Sequence, residues 1–158
     1  MPRSSRVQQV LLVALAGLLL VTGSAFATTF GSQLTWQQRD AVAVSAGEFA
    51  VHEGDPPTVT VELAVDNPLD RPVETTGADL VVYDGDPPFA DDDPVSVRRS
   101  AAVPATTVPA GGERTVTVTL DLPADGVERA RTAVDDGSAS VSGTVRLELL
   151  GREFGVDV

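Results

Sequence analysis

The chain has 158 residues, a formal net charge of −12 and no cysteine, which favours one globular domain with a short appendage. The lack of cysteine excludes disulfides, thiolate metal sites, thiol catalysis and a lipid anchor on an N-terminal Cys. All 11 basic residues are Arg. Because no basic patch is present to neutralise phosphates, nucleic acid is not expected as a partner.

The acidic excess also indicates a habitat. Many Asp and Arg, with no Lys, no Ile and a single Asn, resemble the proteins of a salt-loving archaeon. Self-repulsion of such a chain is screened at molar salt, where the Debye length is about 3 Å. An acidic bacterial surface protein is the alternative source.

The N-terminal segment is hydrophobic and uncharged. Arg3 and Arg6 are the only charges before Arg39, and the run 10–30 carries none. A membrane-spanning helix needs about 20 mostly apolar residues, which this run supplies. The sequence Ala25–Phe26–Ala27 also fits the A-x-A site of a cleavable signal peptide. The sequence therefore predicts an anchor or a signal segment, and a buried core helix is the remaining alternative.

Both interpretations place the C-terminal part of the chain outside the cytoplasm. The positive-inside rule keeps residues 1–9 in the cytoplasm. We therefore expect a single-pass membrane protein with residues 10–30 in the membrane, a juxtamembrane segment with a possible first strand at 31–47, and an outer domain at 48–158. Cleavage near Ala27 would instead give a secreted protein.

Beyond this segment the hydrophobic period changes to two. Three long stretches alternate, at 58–65, 114–122 and 141–149, and residues 154–158 continue the pattern after a turn near Gly151. Period two with many Val and Thr indicates half-buried antiparallel strands. The predicted inner faces comprise Val59, Val61, Leu63, Val65; Val116, Val118, Leu120, Leu122; and Val141, Gly143, Val145, Leu147, Leu149.

Shorter strands and turns complete the prediction. The shorter candidates are 41–44, 49–52, 78–83 and 95–98, and Gly- and Pro-rich turns separate them. About seven short strands at this spacing predict an all-β, seven-stranded antiparallel sandwich with a Greek-key, immunoglobulin- or fibronectin-III-like arrangement. Residues 123–134 carry Val127, Ala130 and Val134 at helical spacing, so one short helix is expected there.

The order of elements resembles a known family. An alternating strand leads into Asp66–Val73 with its Asn67–Pro68 pair, and a second strand ends at Tyr83. Later, Val108–Gly112 precedes another alternating strand, and a hairpin closes the chain. From Phe49 to Val158 this order is similar to the type-2 late embryogenesis abundant domain, also called the water-stress and hypersensitive-response (WHy) domain.

The resemblance implies a seven-stranded sandwich with one helix and no enzymatic activity. It also implies a link to desiccation, cold and osmotic stress, often behind a single membrane span. Its structural motif falls on Asn67, Pro68, Pro109 and Gly111. The chain departs from the family pattern where an acidic insertion, Asp84–Pro94, replaces a short loop.

Three features are candidate sites. Asn67, the sole Asn, precedes Pro68, which favours an extended conformation; its side chain can bind nearby backbone at a turn or, alternatively, a ligand. His52 is the only histidine, and no nucleophile-elbow motif accompanies it. Clustered carboxylates suit Ca²⁺ or Mg²⁺, although the spacing is not that of an EF-hand; the cluster comprises Asp84, Asp86, Asp91, Asp92 and Asp93.

Neither a catalytic residue nor a cofactor is predicted. The favoured function is a non-catalytic, stress-related module on the cell surface. The alternative is an exported accessory subunit that binds a partner protein or an envelope polymer.

Overall fold

The computed structural model describes residues 3–85, 95–96, 99–101 and 103–158. The chain divides into two compact units, Met1–Gln37 and Gln38–Val158. In the first unit, helix α1 runs over Arg3–Gln37 and so extends beyond both ends of the uncharged run 10–30. Within the described residues, no helix combines the length and the hydropathy that crossing a membrane requires.

The second unit is mostly β. After a 3-10 turn at Arg39–Ala41, its elements come in this chain order: β1 (Ala43–His52), β2 (Thr58–Asn67), β3 (Val73–Asp84), β4 (Arg99–Ala101), β5 (Thr107–Val108), β6 (Gly112–Asp121), α2 (Val127–Asp135), β7 (Ala139–Leu149) and β8 (Arg152–Asp157). Among the described residues there are thus seven strands of three residues or more and one strand of two. The predicted mostly-β class is confirmed.

The strands form two antiparallel sheets. One has the order β1-β2-β6; the other has the order β4-β3-β7-β8, with β5 also paired to β3. Strands of one sheet contact strands of the other, as β1 does with β7 and β4 does with β6. The predicted inner positions of β2 and β6 are buried, because alternate side chains of a strand share one face.

Two strands, β1 and β3, each contain a register shift, which interrupts the simple alternation of inner and outer side chains. In β3 the shift falls between Thr75 and Gly77, so that Thr75 lies opposite Leu147 and Ala78 opposite Val145. Thr75 and Ala78 are both buried, since an extra residue in a bulge reverses the faces of all later side chains. A strand at 78–83 was predicted, but neither its extension back to Val73 nor the shift between Thr75 and Gly77 was.

The second shift corrects a prediction. Residues 41–44 and 49–52 were expected as separate strands, whereas Ala43–His52 is one strand with a shift between Ala46 and Phe49. Gly47 and Glu48 lie at that shift, where β1 continues its pairing with β2. A Gly-containing interruption in a strand pattern indicates a bulge as often as a turn.

A second prediction is also wrong in the part that the structure describes. A strand was expected at 95–98, but Val95 and Ser96 form a bend, and Val97 and Arg98 lie outside the described residues. The backbone N–H groups of Val95 and Ser96 both donate to the carbonyl oxygen of Val82, at 2.8 and 3.3 Å. In a regular antiparallel ladder, successive N–H groups do not donate to the same carbonyl oxygen, so Val95 and Ser96 do not continue a regular strand.

The predicted helix is present but begins later. Residues 123–126 form a turn, in which Gly126 N–H donates to the carbonyl oxygen of Pro123 at 2.9 Å, and α2 begins at Val127. Of the three predicted residues Ala130 is buried, together with Ala133, whereas Val127 and Val134 are half-buried. Small side chains permit a close approach of α2, which contacts β1, β3 and β7.

The strand directions give the second unit two distinct ends. We call the end at which β1 starts the proximal end. It also contains three turns, at 68–72, 109–111 and 150–151. The distal end consists of the turn 53–57 and the α2 segment 122–138. In the first sheet, the pairings Ala43↔Asp66 and Asn67↔Gly112 bring the start of β1, the end of β2 and the start of β6 to the proximal end. In the second sheet, the pairing Leu149↔Arg152 flanks the β7–β8 turn, which lies at the same end.

Candidate functional site

Asn67 is a buried polar side chain that contacts four backbone groups. It is 0% exposed, and its Nδ2 group lies 2.9 Å from the carbonyl oxygen of Arg71, 3.2 Å from that of Val108 and 3.0 Å from that of Pro109. Its Oδ1 accepts a hydrogen bond from Leu69 N–H at 3.2 Å. One amide thus links the end of β2, the following turn and the turn before β6.

Backbone bonds reinforce the same junction. Gly111 N–H donates to the carbonyl oxygen of Leu69 at 3.0 Å, and Gly112 N–H donates to that of Pro109 at 3.2 Å. Gly111 has a φ of +60°, which glycine adopts without the steric cost of a Cβ atom. We call this set, Asn67, Leu69, Arg71, Val108–Pro109 and Gly111–Gly112, the Asn67 junction.

The junction brings together the two parts of the predicted structural motif. Asn67 bonds directly to Pro109, while the rings of Pro68 and Pro109 are exposed. Asn67 has two amide hydrogens facing three carbonyl oxygens, so none is left to donate to a ligand. From the sequence, Asn67 is predicted to bind nearby backbone or, alternatively, a ligand. Val108 and Pro109 lie 41 and 42 residues away, and no local pattern indicates them.

Thr75 makes a related tie on the neighbouring strand. Its buried hydroxyl donates to the carbonyl oxygen of Pro104 at 2.8 Å and accepts from Thr106 N–H at 2.9 Å. Thr75 N–H also donates to the carbonyl oxygen of Thr106 at 3.0 Å. These bonds hold the segment that leads into β5 against β3.

His52 lies on β1 and is exposed. Its Nε2 atom is 3.1 Å from the hydroxyl oxygen of Thr60, and that hydroxyl donates to the carbonyl oxygen of Ala50 at 3.3 Å. The imidazole therefore makes a cross-strand contact on the outer face of the first sheet.

The acidic cluster falls mostly outside the described residues. Of its members, Asp84 is described, and its Oδ1 accepts a hydrogen bond from the Ser138 hydroxyl at 2.6 Å. Asp86, Asp91, Asp92 and Asp93 lie outside. Across the part of the chain that the structure does describe, no group of three or more His, Asp or Glu side chains could hold a metal ion.

A shallow cavity of about 340 Å³ opens on the second unit. The cavity is lined from β1 by Gly47, Glu48 and Phe49, of which Glu48 is charged. From the opposite side it is lined by Val134, Gly137 and Ala139. Every buried side-chain nitrogen or oxygen among the described residues has a hydrogen-bond partner.

Comparison with known proteins finds similar solved structures but no matching family for the chain. No family model matches it, and no curated protein matches it either. Among solved structures, a protein from Archaeoglobus fulgidus is similar at 13% identity and a TM-score of 0.47, covering 72% of this chain and 91% of that one. The Northeast Structural Genomics Consortium target SoR45 is similar at 10% identity and a TM-score of 0.46, covering 77% and 84%. Neither likeness bears on what this chain does.

Proposed function

We propose that this chain is a membrane-tethered, extracytoplasmic module of the type-2 late embryogenesis abundant (WHy) kind, with a non-catalytic role under osmotic or desiccation stress. The observation that carries the proposal is the Asn67 junction. The family resemblance depends on an Asn-Pro element and a Val-Pro-Ala-Gly element about 40 residues apart, and Asn67 bonds to both Val108 and Pro109. The two elements thus have one shared structural reason to occur together.

The proposal includes a finer fold, the seven-stranded Greek-key sandwich of immunoglobulin or fibronectin-III type. It is supported by the strand order, in which β2 lies between β1 and β6 while β3 and β7 are the centre of the other sheet. The crossings from β2 to β3 and from β6 to β7 each connect one sheet to the other. Such crossings are typical of Greek-key sandwiches.

The proposed location is supported by the distribution of charge along the sequence. Arg3 and Arg6 precede the uncharged run 10–30, and all 23 acidic residues come after Arg39. The positive-inside rule would retain the Arg-containing terminus in the cytoplasm. The acidic domain would then face the medium, where high salt screens its self-repulsion in a halophilic host.

A deletion strain tests the stress role. We expect loss of the gene to lower survival after desiccation or abrupt dilution of the medium, and expression of the wild-type chain to restore it. Complementation with Asn67→Asp should fail, whereas Asp66→Asn, which alters the exposed neighbour, should succeed. Immunoblots of both variants separate loss of function from loss of protein.

Normal survival of the deletion strain under both stresses would contradict the proposal. Recovery of a stable protein or envelope polymer with the purified chain would instead favour the accessory-subunit function. In that case the deletion phenotype should match that of losing the partner, and it should appear without stress.

A further inference from the structure

Three glutamates form a row across the outer face of the second sheet. Glu74 on β3 lies opposite Glu148 on β7, and Glu148 lies opposite Glu153 on β8. All three side chains are exposed, and we call them the Glu row. Residues directly opposite each other in an antiparallel pair have Cβ atoms about 4.5–5.5 Å apart, and like charges at that spacing destabilise the pairing. Glu148 therefore takes part in two repulsive pairs, one with each neighbouring strand.

The two Arg residues of these three strands lie outside the Glu row. Arg146 is at an outer-face position, and its Nη1 atom lies 3.6 Å from Oδ2 of Asp79. Because Asp79 is opposite Thr144, this contact is on the side of Arg146 away from the Glu row. The guanidinium lies over Gly77, where a Cβ atom would come within 2.7 Å of Nη2. Arg152 is at an inner-face position, opposite a buried Leu. The contact of Arg146 with Asp79 thus leaves the repulsion within the Glu row in place.

Strand β8 is the member of the sheet that this repulsion can displace. It has six residues, lies at the edge of the sheet and has one paired neighbour, β7, among the described strands. Two of its residues are half-buried and four are exposed. An exposed hydrogen bond joins the Thr76 hydroxyl of β3 to Glu153 at 2.9 Å. Another joins the Thr144 hydroxyl of β7 to Asp157 at 2.8 Å. Little buried surface therefore opposes the release of β8.

The turn before β8 favours the pairing only weakly. Leu150 has a φ of +55° and Gly151 a φ of +74°, and these two residues form the whole connection between β7 and β8. A two-residue hairpin with positive φ at both positions favours Asn-Gly or Asp-Gly, because Leu adopts a left-handed conformation at a steric cost. Leu150 is 45% exposed, so burial offsets that cost only in part.

We propose that β8 is a salt-responsive strand, which pairs with β7 at molar salt and separates from it in dilute medium before the rest of the domain unfolds. At molar ionic strength the Debye length is about 3 Å, which is shorter than the spacing within the Glu row, whereas in dilute buffer it is about 30 Å. Salt thus removes the repulsion on β8, and dilution restores it. Weakly held segments of a domain open locally at a lower free energy than the core does.

Opening would change the surface that the domain presents. Release of β8 exposes the hydrogen-bonding edge of β7 over Thr144–Leu149, and an unpaired edge is a template for pairing with another strand. This response is separate from the proposed function. It depends neither on the membrane tether nor on the stress role, because every contact involved lies within Gln38–Val158.

Hydrogen–deuterium exchange on the full, detergent-solubilised chain tests the proposal. Peptides over 150–158 report on β8, and peptides over 58–67 report on β2, the centre of the first sheet. In dilute buffer we expect β8 to exchange several-fold faster than β2. In molar salt the protection of β8 should rise several-fold, because the repulsion at Glu153 is then screened.

Three variants separate the Glu row from net charge. Glu148→Gln removes the central carboxylate, so we expect the protection of β8 in dilute buffer to rise several-fold and its salt response to be largely lost. Glu148→Arg places a cation between Glu74 and Glu153, so the protection of β8 should be highest in dilute buffer and decrease as salt is added. Glu113→Gln is the control, because it changes the net charge as Glu148→Gln does and removes a carboxylate opposite Asp66, but in the first sheet. Its β8 should respond to salt as in the wild type.

Equal exchange of β8 and β2 in dilute buffer would overturn the proposal, since β8 would then open only with the whole domain. A wild-type salt response in Glu148→Gln would overturn it as well. If Glu113→Gln alters β8 as much as Glu148→Gln does, net charge and not the Glu row controls the opening. Because Glu148 is exposed, each variant should remain folded, which the protection of β2 verifies.

Discussion

Different kinds of interaction stabilise the two ends of the β domain. At the proximal end, one buried neutral side chain, Asn67, bonds to backbone groups of two separate turns. At the distal end, Arg131 forms ion pairs with Glu53 and Glu128, and Arg131 and Glu53 are both more than a third exposed. Buried neutral hydrogen bonds are indifferent to salt, whereas exposed ion pairs are screened by it.

The difference predicts that salt changes the stability of the two ends of this acidic domain unequally. The buried side chains that make its specific contacts at the proximal end, Asn67 and Thr75, use amide and hydroxyl groups, which carry no net charge. Its carboxylates are mostly exposed, and an exposed ion pair contributes little to the free energy of unfolding. Salt therefore acts mainly on long-range repulsion and little on the Asn67 junction.

The largest expected effect comes from Asn67→Ala. The substitution leaves three carbonyl oxygens and the Leu69 N–H without their partner, and each buried unsatisfied group costs about 1–3 kcal/mol. With partial relaxation we expect a loss of about 2–4 kcal/mol in the free energy of unfolding, equal at low and at molar salt. Urea unfolding at two salt concentrations measures it. Asp66→Ala at the exposed neighbouring position should cost under about 0.5 kcal/mol, and equal losses in the two variants would contradict the assigned role.

A smaller loss is expected from Thr75→Val. The change keeps the side-chain shape but removes the hydroxyl that bonds Pro104 and Thr106, so we expect a loss of about 1–2 kcal/mol. Thr76→Val is the matched control, because the exposed Thr76 hydroxyl bonds the Glu153 carboxylate at 2.9 Å. If Thr76→Val lowers the free energy of unfolding as much as Thr75→Val does, burial is not the reason that the Thr75 hydrogen bonds stabilise the domain.

Leu150→Asn should change stability in the opposite direction. Asn tolerates the left-handed conformation of this turn, so we expect a gain of about 0.5–1 kcal/mol in the free energy of unfolding of the detergent-solubilised chain. Gly151→Ala, at the next position, should lose about 1 kcal/mol for the converse reason. A loss in both variants would show that Leu150 has a packing role within the domain.

The smallest effect is expected from Arg131→Gln. Removing the exposed pairs with Glu53 and Glu128 should cost under about 0.5 kcal/mol at low salt and nothing measurable at molar salt. Arg114→Gln, at the proximal end, is the control, because it changes the net charge by the same amount. Thermal unfolding over a salt series compares the two, and a persistent cost for Arg131→Gln at molar salt would mean that its pairs are not screened.

Much of the β structure was predictable from sequence because its signals are local. The alternation in β2, β6 and β7 identified their inner residues, and Gly151 marked the last turn. The bulges of β1 and β3 were missed, because a bulge depends on how two strands pair and not on the composition of either. The bend at Val95–Ser96 was missed for a similar reason, since its hydrogen bonds are made to Val82 on another element.

The candidate site was predictable only in part. Asn67 stood out as the sole Asn, placed before Pro68 at the end of a strand. Its bonds to Val108 and Pro109, and the bonds of Thr75 to Pro104 and Thr106, join segments about 30 to 40 residues apart. Such contacts exist only once the sheets have paired.

By itself the sequence determined the mostly-β class, the inner faces of β2, β6 and β7 and the single short helix, because side-chain periodicity is a property of a few successive residues. The tertiary structure alone decided which strands pair, where the register shifts and which end of the domain bears the neutral ties and the exposed Leu150. Those features depend on contacts between distant segments, whose closure is favourable only when the whole core forms.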